Sequence, residues 1–292
     1  MTLKQKSSFK ESNGKGTLYL VPTPIGNLKD ITFRTLDILN EVDLICAEDT
    51  RNTLRLLNHF EIKTPQISFH EHNTKERIPY LLEKLEQGEN LAQVSDAGTP
   101  SISDPGHELV EACIENDIAV VPLPGANAAI SALIASGIVP QPFLFYGFLP
   151  RKKSEQKKTL EELKPQTATL IFYEAPHRLK KTLEAMLAVF GPRKVALCRE
   201  LTKRYEEFLR GTLEDAVEWA SKGEVRGEFV VIVEGANEAQ KEVADPARQL
   251  PLAKQVDLLI TQKGLKTNAA IKEVAKANGL KKQVVYNEYH QI

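Results

Sequence analysis

Cysteine is scarce in this sequence and forms no pattern. The only three, Cys46, Cys113 and Cys198, lie far apart in the chain and include no CxxC pair. An odd number of isolated cysteines argues against a disulfide framework, and a zinc finger needs ligands paired at short spacing. We therefore predict neither disulfides nor a bound metal, and a reducing, cytoplasmic location.

The sequence also lacks an excess of charge of either sign. It has 38 Lys and Arg against 39 Asp and Glu, which gives a formal net charge of −1. Bulk charge therefore does not attract polyanions, and any nucleic-acid site has to be a local basic patch. The shares of charged and hydrophobic residues, 26% and 42%, exclude a mainly disordered or fibrous chain.

Long apolar helices are missing as well. Residues 118–150 carry no charge, but prolines and glycines divide this stretch into pieces too short for an apolar helix of about 18 residues. The first residues hold lysines and no apolar run, unlike a signal peptide. We predict no membrane partner.

The glycine-rich loops that bind nucleotide phosphates are absent too. The first predicted strand-to-helix turn, residues 21–27, reads VPTPIGN and has one glycine. A dinucleotide-binding turn needs GxGxxG so that backbone amides can approach a pyrophosphate, and no GxxxxGKS or GxxxxGKT loop occurs. NAD and ATP are therefore disfavoured as cofactors. The turn itself either binds a ligand or has a structural role in which its prolines make the backbone rigid.

Strands that alternate with helices organise most of the chain. Strands are predicted over residues 17–20, 42–46, 91–94, 118–122, 169–173, 194–199 and 229–234, and helices begin near residues 30, 53, 104, 127, 176 and 212. We predict a disordered basic arm over residues 1–15, an α/β domain with a parallel sheet over 16–143 and a second α/β domain over 144–236. Residues 139–150, rich in proline and aromatics, are interpreted as the link between these two domains. A small helical domain over 248–292 completes the prediction.

Three short helices are predicted in the C-terminal domain. Gly264 and Gly279 separate them, and the domain has more basic than acidic residues. The spacing of small and apolar residues is typical of a helix-turn-helix. It fits an amphipathic module for packing or dimerisation equally well, so both interpretations stay open.

The most unusual segment is residues 95–106, SDAGTPSISDPG, at the end of a predicted strand. Open α/β sheets place ligands at the carboxyl ends of their strands. Asp104 followed by Pro105 is explained as the start of a helix, as Asp30 is for an earlier helix. A turn does not explain Asp96–Thr99, which we interpret as ligand-binding.

Other polar motifs follow predicted strands. Residues 48–51, EDTR, are either an acid–base set or a helix cap with an exposed arginine. The HxH pair at 70–72 has no third ligand at suitable spacing, which favours a polar loop over a metal site. Residues 177–178 and Lys203 place cations at strand ends, which suits a phosphate-rich substrate.

A series of motifs carries a family resemblance. In chain order they are PTPIGNLKDIT, AEDTRNT, FHEHN, VSDAGTPSISDPG, PGANA, FYGFLPRK, FYEAPHRL, RELTKRYEEFLRG and GEFVVIVEG. They resemble the ribosomal RNA small subunit methyltransferase I family, a branch of the tetrapyrrole methylase superfamily. The resemblance covers about residues 16–235.

This resemblance implies an α/β fold in which two tetrapyrrole-methylase-type domains hold S-adenosylmethionine (AdoMet) in the cleft between them. It implies methylation of the ribose 2′-oxygen of a cytidine in the decoding region of 16S rRNA, within the small ribosomal subunit and by a homodimer. Carried over motif by motif, the AdoMet site comprises Pro24, Ile25, Gly26, Asp96, Ala97, Gly98, Thr99, Ala126, Asn127, Phe172, Tyr173, Leu201 and Thr202. Asn127 stands where the family motif suggests serine.

The catalytic candidates are the polar residues that could take the proton of the 2′-hydroxyl, namely Glu48, Asp49 and His72. The expected contacts to the RNA backbone are Arg51, Arg151, Lys152, Lys153, His177, Arg178 and Lys203. The basic C-terminal domain and the basic run over residues 151–158 would add clamps on the RNA, unless they are only solvated surface. Two alternatives stay open: C-methylation of a tetrapyrrole by the same fold, and a non-catalytic RNA-binding protein.

Overall fold

A computed structural model describes residues 14–237, 250–278 and 280–290 of the protein. The predicted arm over residues 1–15 lies outside the described residues, apart from its last two. Most of the segment between the second predicted domain and the helical one lies outside them as well.

The first sheet is built from five short strands: β1 (Thr17–Leu20), β2 (Leu44–Ala47), β3 (Gln66–Ser68), β4 (Leu91–Val94) and β5 (Ala119–Pro122). Their order is β3-β2-β4-β1-β5, and every pairing is parallel. The helices of this part of the chain are α1 (Phe33–Glu41), α2 (Thr50–His59), α3 (Thr74–Glu86), α4 (His107–Glu115) and α5 (Ala128–Ser136). The predicted parallel α/β sheet is confirmed.

Hydrophobic layers cover both faces of this sheet. Along β2, Leu44 and Cys46 belong to one core cluster and Ile45 and Ala47 to another. Successive strand residues point to opposite faces, so a central parallel strand needs apolar residues at every position. The uninterrupted run LICA in β2 is explained in this way.

The second sheet is mixed. Its strands are β6 (Phe143–Phe148), β7 (Thr169–Glu174), β8 (Lys194–Arg199), β9 (Glu207–Thr212) and β10 (Phe229–Val233). Their order is β6-β7-β10-β8-β9, in which β6 and β7 are parallel and the other pairings antiparallel. The helices α6 (Lys153–Leu163), α7 (Pro176–Phe190) and α8 (Leu213–Ser221) accompany this sheet.

The prediction that residues 139–150 are only a domain link is wrong. Within them the run FLFYGF forms β6, which pairs with β7. Prolines at 140, 142 and 150 flank this run and do not interrupt it. Aromatic residues favour a strand there, and its position at the sheet edge tolerates nearby prolines.

Two predicted helix caps are also wrong. The N-cap of α1 is Thr32, whose hydroxyl accepts a hydrogen bond of 3.0 Å from the Thr35 amide, while Asp30 ends a short 3-10 turn. The N-cap of α4 is Gly106. The Asp104 carboxylate is therefore not used as a helix cap, which matters for the site described below.

The described chain separates into two compact units. The first contains both sheets and comprises the described residues up to Glu162 together with Ala168–Glu234. The predicted border at residues 143–144 lies inside it and stays a prediction. No helix of the described residues has the length and apolar character needed to cross a membrane.

The second unit combines Leu163–Thr167 with the chain from Gly235 onward. Its helices are α9 (Leu252–Lys263), α10 (Thr267–Ala277) and α11 (Lys282–His290), close to the predicted bounds. They enclose a small core that includes Val256, Ile271 and Val285.

Candidate active site

The first unit contains a cavity of about 290 Å³. Its walls are loops that follow strands of both sheets, which is where open α/β sheets place ligands. The volume is at the lower end of the range for small-molecule sites. Predicted cofactor residues that line this cavity are Ile25, Ala97, Gly98, Thr99, Asn127, Tyr173 and Leu201.

Other predicted cofactor residues line a second cavity, of about 240 Å³. They are Pro24, Gly26 and Asp96. The Asp96 carboxylate accepts hydrogen bonds from the Asp49 amide at 3.1 Å and from Asn52 Nδ2 at 2.9 Å. Asp96 therefore ties the loop after β4 to the start of α2.

Three predicted cofactor residues line neither cavity. The Ala126 carbonyl accepts a hydrogen bond of 3.0 Å from Thr99 Oγ1 and so holds two wall loops together. Thr202 lies in the turn after β8, and its buried Oγ1 has no partner among the described residues. Phe172 is fully buried, because neighbouring strand residues point to opposite faces and Tyr173 takes the cavity side. The Phe172 side chain therefore does not line the cavity, and its place in the cofactor site stays a prediction.

Close backbone approach explains the glycine in the first turn. A Cβ atom added at Gly26 would collide with the Lys203 side chain and press on Thr202 Oγ1. The glycine therefore lets the turn after β1 pack against the turn after β8, which brings walls from the two sheets together.

The wall loops carry unusual backbone conformations. Ser101 and Ser103 have φ angles of 67° and 65°, and Glu200 and Thr202 have 51° and 65°. Side chains other than glycine rarely adopt this left-handed region, and such residues concentrate at functional sites. Two cavity loops therefore hold residues in costly conformations.

Three carboxylates meet beside the cavity. Asp104 lines its wall, and burial followed by the charge of Glu48 raises the pKa of Asp104 to about 6, with a further contribution from Asp96. Glu48 accepts a hydrogen bond of 3.2 Å from the Asp96 amide, and burial raises its pKa as well. A carboxylate with a pKa of about 6, as Asp104 has, binds a proton near neutral pH.

Asp49 has a structural role in this arrangement. It is the N-cap of α2, and its carboxylate pairs with Arg51, with Nη2 2.6 Å from Oδ2. Hydrogen bonds from Arg51 lower the pKa of Asp49 to about 2. The helix-cap interpretation is confirmed, and a carboxylate of such low basicity does not suit proton abstraction.

The imidazole nearest the carboxylates is not the predicted one. His72 is exposed, whereas His70 is half-buried and close enough for its charge to lower the pKa of Glu48. His70 Nδ1 is buried without a partner among the described residues. The HxH motif pointed to this loop, but only the fold distinguishes its two histidines.

Predicted RNA contacts divide into two groups. A groove of about 1190 Å³ beside α6 and α7 is lined by Arg151, Lys153, His177 and Arg178. Outside this groove, Lys152 pairs with Glu155 at 3.0 Å and Arg51 pairs with Asp49.

Lys203 is a wall residue of the cavity. It pairs with Glu200 at 2.9 Å and with Glu228 at 2.8 Å. Burial lowers its pKa, but the two carboxylates outweigh burial and raise it.

Arg178 stabilises the protein around the groove. Its Nη2 donates to the carbonyls of Leu149 and Pro150 at 2.9 and 3.3 Å, and its Nε lies 3.4 Å from Glu174 Oε1. The Glu174 side chain is 1% exposed. Because Nη2 and Nε are committed to these contacts, Arg178 fixes the loop before α6 and is poorly placed to bind a phosphate.

No group of three His, Cys, Asp or Glu side chains in the described parts of the chain is arranged to hold a metal ion.

Comparisons with known proteins agree on one family. The model of the Tetrapyrrole (Corrin/Porphyrin) Methylases matches residues 17–217. The ribosomal RNA small subunit methyltransferase I of Halalkalibacterium halodurans is 53% identical over 99% of this chain and 100% of its own length. The protein of that name from Bacillus subtilis is 51% identical over 99% of both chains.

Among solved structures, a uroporphyrin-III C-methyl transferase from Thermus thermophilus in complex with S-adenyl homocysteine has the same fold. The TM-score is 0.53 at 17% identity, over 78% of this chain and 100% of that one. The family match, the two full-length relatives and the shared fold lead to one conclusion. This chain belongs to the tetrapyrrole methylase family and, within it, to the ribosomal RNA small subunit methyltransferase I family.

Proposed function

We propose that this protein transfers a methyl group from AdoMet to the ribose 2′-oxygen of a cytidine in the decoding region of 16S rRNA. The observation that carries the proposal is the cavity of the first unit, whose walls contain the family's cofactor motifs from both sheets. The names of the full-length relatives support small-subunit rRNA as the substrate.

The residues of the cavity fit AdoMet. Apolar side chains such as Ile25, Leu201 and Val230 suit its adenine, while the carboxylates of Glu200 and Glu228 suit its positive ammonium and sulfonium groups. The orphaned Thr202 hydroxyl next to this wall offers an unused hydrogen bond. The fold neighbour from Thermus thermophilus, which holds S-adenyl homocysteine, adds support from outside this chain.

AdoMet supplies a sulfonium-bound methyl group that is already activated for transfer. What this chain has to provide is alignment of the ribose hydroxyl and a group that takes its proton. Asp104 fits the second task, because it lies on the cavity wall and its pKa of about 6 makes it more basic than an ordinary aspartate while leaving it ionised at pH 7.5.

The other carboxylates support Asp104. Glu48 keeps the pKa of Asp104 high through its charge, and Asp96 positions the loop that leads to it. In this scheme Glu48 stays a catalytic candidate beside Asp104. Asp49 is a helix cap, and His70 replaces His72 as the imidazole of interest.

The wider setting belongs to the same proposal. We expect the substrate to be rRNA in the small ribosomal subunit, the enzyme to work in the cytoplasm and the active form to be a homodimer. The C-terminal helices and the basic groove would hold RNA.

The test mixes purified protein, methyl-labelled AdoMet and small ribosomal subunits from cells that lack this modification. Alkali digestion follows, because it does not cleave after a 2′-O-methylated nucleotide. Label in a single alkali-resistant dinucleotide that begins with cytidine supports the proposal. No label with AdoMet binding intact would remove it, and label on an added uroporphyrinogen or precorrin would favour tetrapyrrole C-methylation.

A further inference from the structure

We propose that the groove beside α6 and α7 binds the phosphodiester backbone of the rRNA strand that leads into the cavity, with Lys157 and Lys181 as phosphate contacts. This inference rests on the proposed function and names where its substrate lies. It singles out Lys157 within the basic run over residues 151–158 and adds Lys181, which the sequence analysis did not name.

The groove and the cavity are adjacent, because Phe148 and Ala175 line both of them. A strand that lies in the groove therefore ends beside the cavity wall. Phe148 is 53% exposed at this junction, and an exposed aromatic ring can stack on an unpaired base.

Basic side chains line the groove from both helices. Lys153 and Lys157 are one turn apart on α6, and His177 and Lys181 are one turn apart on α7. Together with Arg151, the three lysines outnumber the two carboxylates that line the groove, which are Glu161 and Glu184. This excess of positive charge along one groove suits a polyanion.

Ion pairing distinguishes the groove lysines from their neighbours. Lys152 and Lys158, which do not line the groove, pair with Glu155 and Glu162 at 3.0 and 3.8 Å. Lys157 and Lys181 make no ion pair among the described residues. Lysines without local partners are available to neutralise phosphates and release counterions.

The walls of the groove are fixed before any ligand arrives. Glu174 accepts a hydrogen bond of 2.6 Å from Thr182 Oγ1, which in turn accepts one of 3.2 Å from Gln156 Nε2. This buried chain of contacts joins α6 to α7. A pre-formed basic channel with an aromatic residue at its inner end favours single-stranded RNA over an acidic protein surface, since stacking and phosphate contacts are its two means of binding.

The experiment compares two double variants of the full-length protein. Lys157→Ala/Lys181→Ala removes the groove lysines, and Lys158→Ala/Lys222→Ala removes two exposed lysines that are paired with Glu162 and Glu218. Affinity for the small-subunit rRNA is measured over a salt series, with AdoMet affinity as the check on folding.

We expect the groove variant to bind RNA roughly tenfold more weakly and to lower the slope of log K against log salt by about 1.4, two phosphates of a single strand. Its AdoMet affinity and the control variant's RNA affinity should not change. Lys157→Arg/Lys181→Arg should recover most of the binding, because arginine also contacts phosphate.

Equal RNA affinity and salt slope in the two double variants would overturn the inference. So would a groove variant that changes the monomer–dimer equilibrium in sedimentation and leaves RNA binding unaltered, because the groove would then be an interface between copies. If wild-type protein binds the RNA through these lysines but methylates nothing, the proposed function fails while the groove assignment stands.

Discussion

A single carboxylate, Asp104, combines a position on the cavity wall with a raised pKa. Neutralisation by Asp104→Asn removes the proton acceptor, so we expect turnover to fall by about 10²- to 10⁴-fold with AdoMet affinity retained. In the wild type, kcat/KM should fall as the pH drops through about 6, because protonated Asp104 cannot accept a proton.

Methyl transfer measured from pH 5 to 8 checks this expectation. Asp37→Asn, which changes an exposed carboxylate on α1, serves as the control and should keep its activity. Full turnover by Asp104→Asn would exclude Asp104 as the base and leave Glu48 as the carboxylate to examine.

The ionised form of Asp104 should make the folded protein less stable than its protonated form does. The folded-state pKa of about 6 is above the usual 3.8, so proton binding stabilises the folded state in acid and this stabilisation is lost as the pH rises through 6. Asparagine cannot ionise. After allowance for solvent screening of a partly exposed group, we expect Asp104→Asn to raise the free energy of unfolding by about 1 kcal/mol at pH 7.5 and by nothing at pH 4.

Urea unfolding of both proteins at the two pH values measures this difference. An equal change at pH 4 and 7.5 would show that packing, and not ionisation, is its origin.

Arg178 illustrates how a cation in a basic motif can be structural. Arg178→Ala removes a donor from two carbonyls and the cationic partner from the buried Glu174, so we expect it to cost about 2–3 kcal/mol of unfolding free energy. His177→Ala, one residue away and facing the groove, should cost less than about 0.5 kcal/mol. Chemical denaturation that ranks the two variants the other way round would contradict this assignment.

The stability of helix α5 depends on the N-cap at its start. Asn127 Oδ1 accepts a hydrogen bond of 3.1 Å from the Ile130 amide, and the helix ends at the left-handed Gly137. We expect Asn127→Ala to lower the unfolding free energy by about 1 kcal/mol. Asn127→Ser, which restores the residue suggested by the family motif, should keep both the cap and AdoMet affinity. Thermal melts and AdoMet titrations measure these two properties. A loss of AdoMet affinity in Asn127→Ser would mean that the amide itself binds the cofactor.

Sequence patterns identified the strongly apolar elements correctly. The predicted bounds of β1, β4 and β8 agree with the structure, because each is a short apolar run between clear turns. The strands β3 and β9 were missed. Both lie at a sheet edge and carry polar residues, so their hydrogen bonds to a neighbouring strand, and not their composition, define them.

Helix α3 was missed for a different reason. It contains Pro79, a residue that normally ends a helix, yet it continues because tertiary packing buries Leu81 and Leu85. The local sequence does not reveal that tertiary packing stabilises a helix that contains a proline.

The loops of the site could be predicted from sequence motifs. The residues whose role depends on the direction of their side chains could not. Motifs located the cavity loops, including Ala97–Thr99 and Tyr173. They misassigned Asp104, because an Asp-Pro pair is typical of a helix start and only the folded chain shows Gly106 in that place. They also could not separate Tyr173 from Phe172, or His70 from His72, since each choice depends on which way a side chain points.

The two compact units have separate hydrophobic cores. Ile271 is buried in the helical unit among residues of that unit alone. Ile271→Ala should therefore cost that unit about 2–5 kcal/mol and leave AdoMet affinity unchanged. The single tryptophan, Trp219, lies in α8 of the first unit and reports on that unit only.

Urea unfolding followed by circular dichroism and by Trp219 fluorescence separates the two responses. We expect part of the dichroism transition to move to lower urea in Ile271→Ala while the fluorescence transition stays in place. Lys272→Ala, an exposed change on the same helix, is the control. A shared shift of both signals would mean that the units unfold together.

The cavity walls come from stretches that begin at Ile25 and end at Val230. A ribosome synthesises a chain from its amino terminus, so the last wall exists only when β10 has left the exit tunnel. Until then the chain has no complete place for its cofactor. An enzyme whose proposed substrate is small-subunit rRNA is in this way kept inactive on the ribosome that is producing it until β10 has emerged.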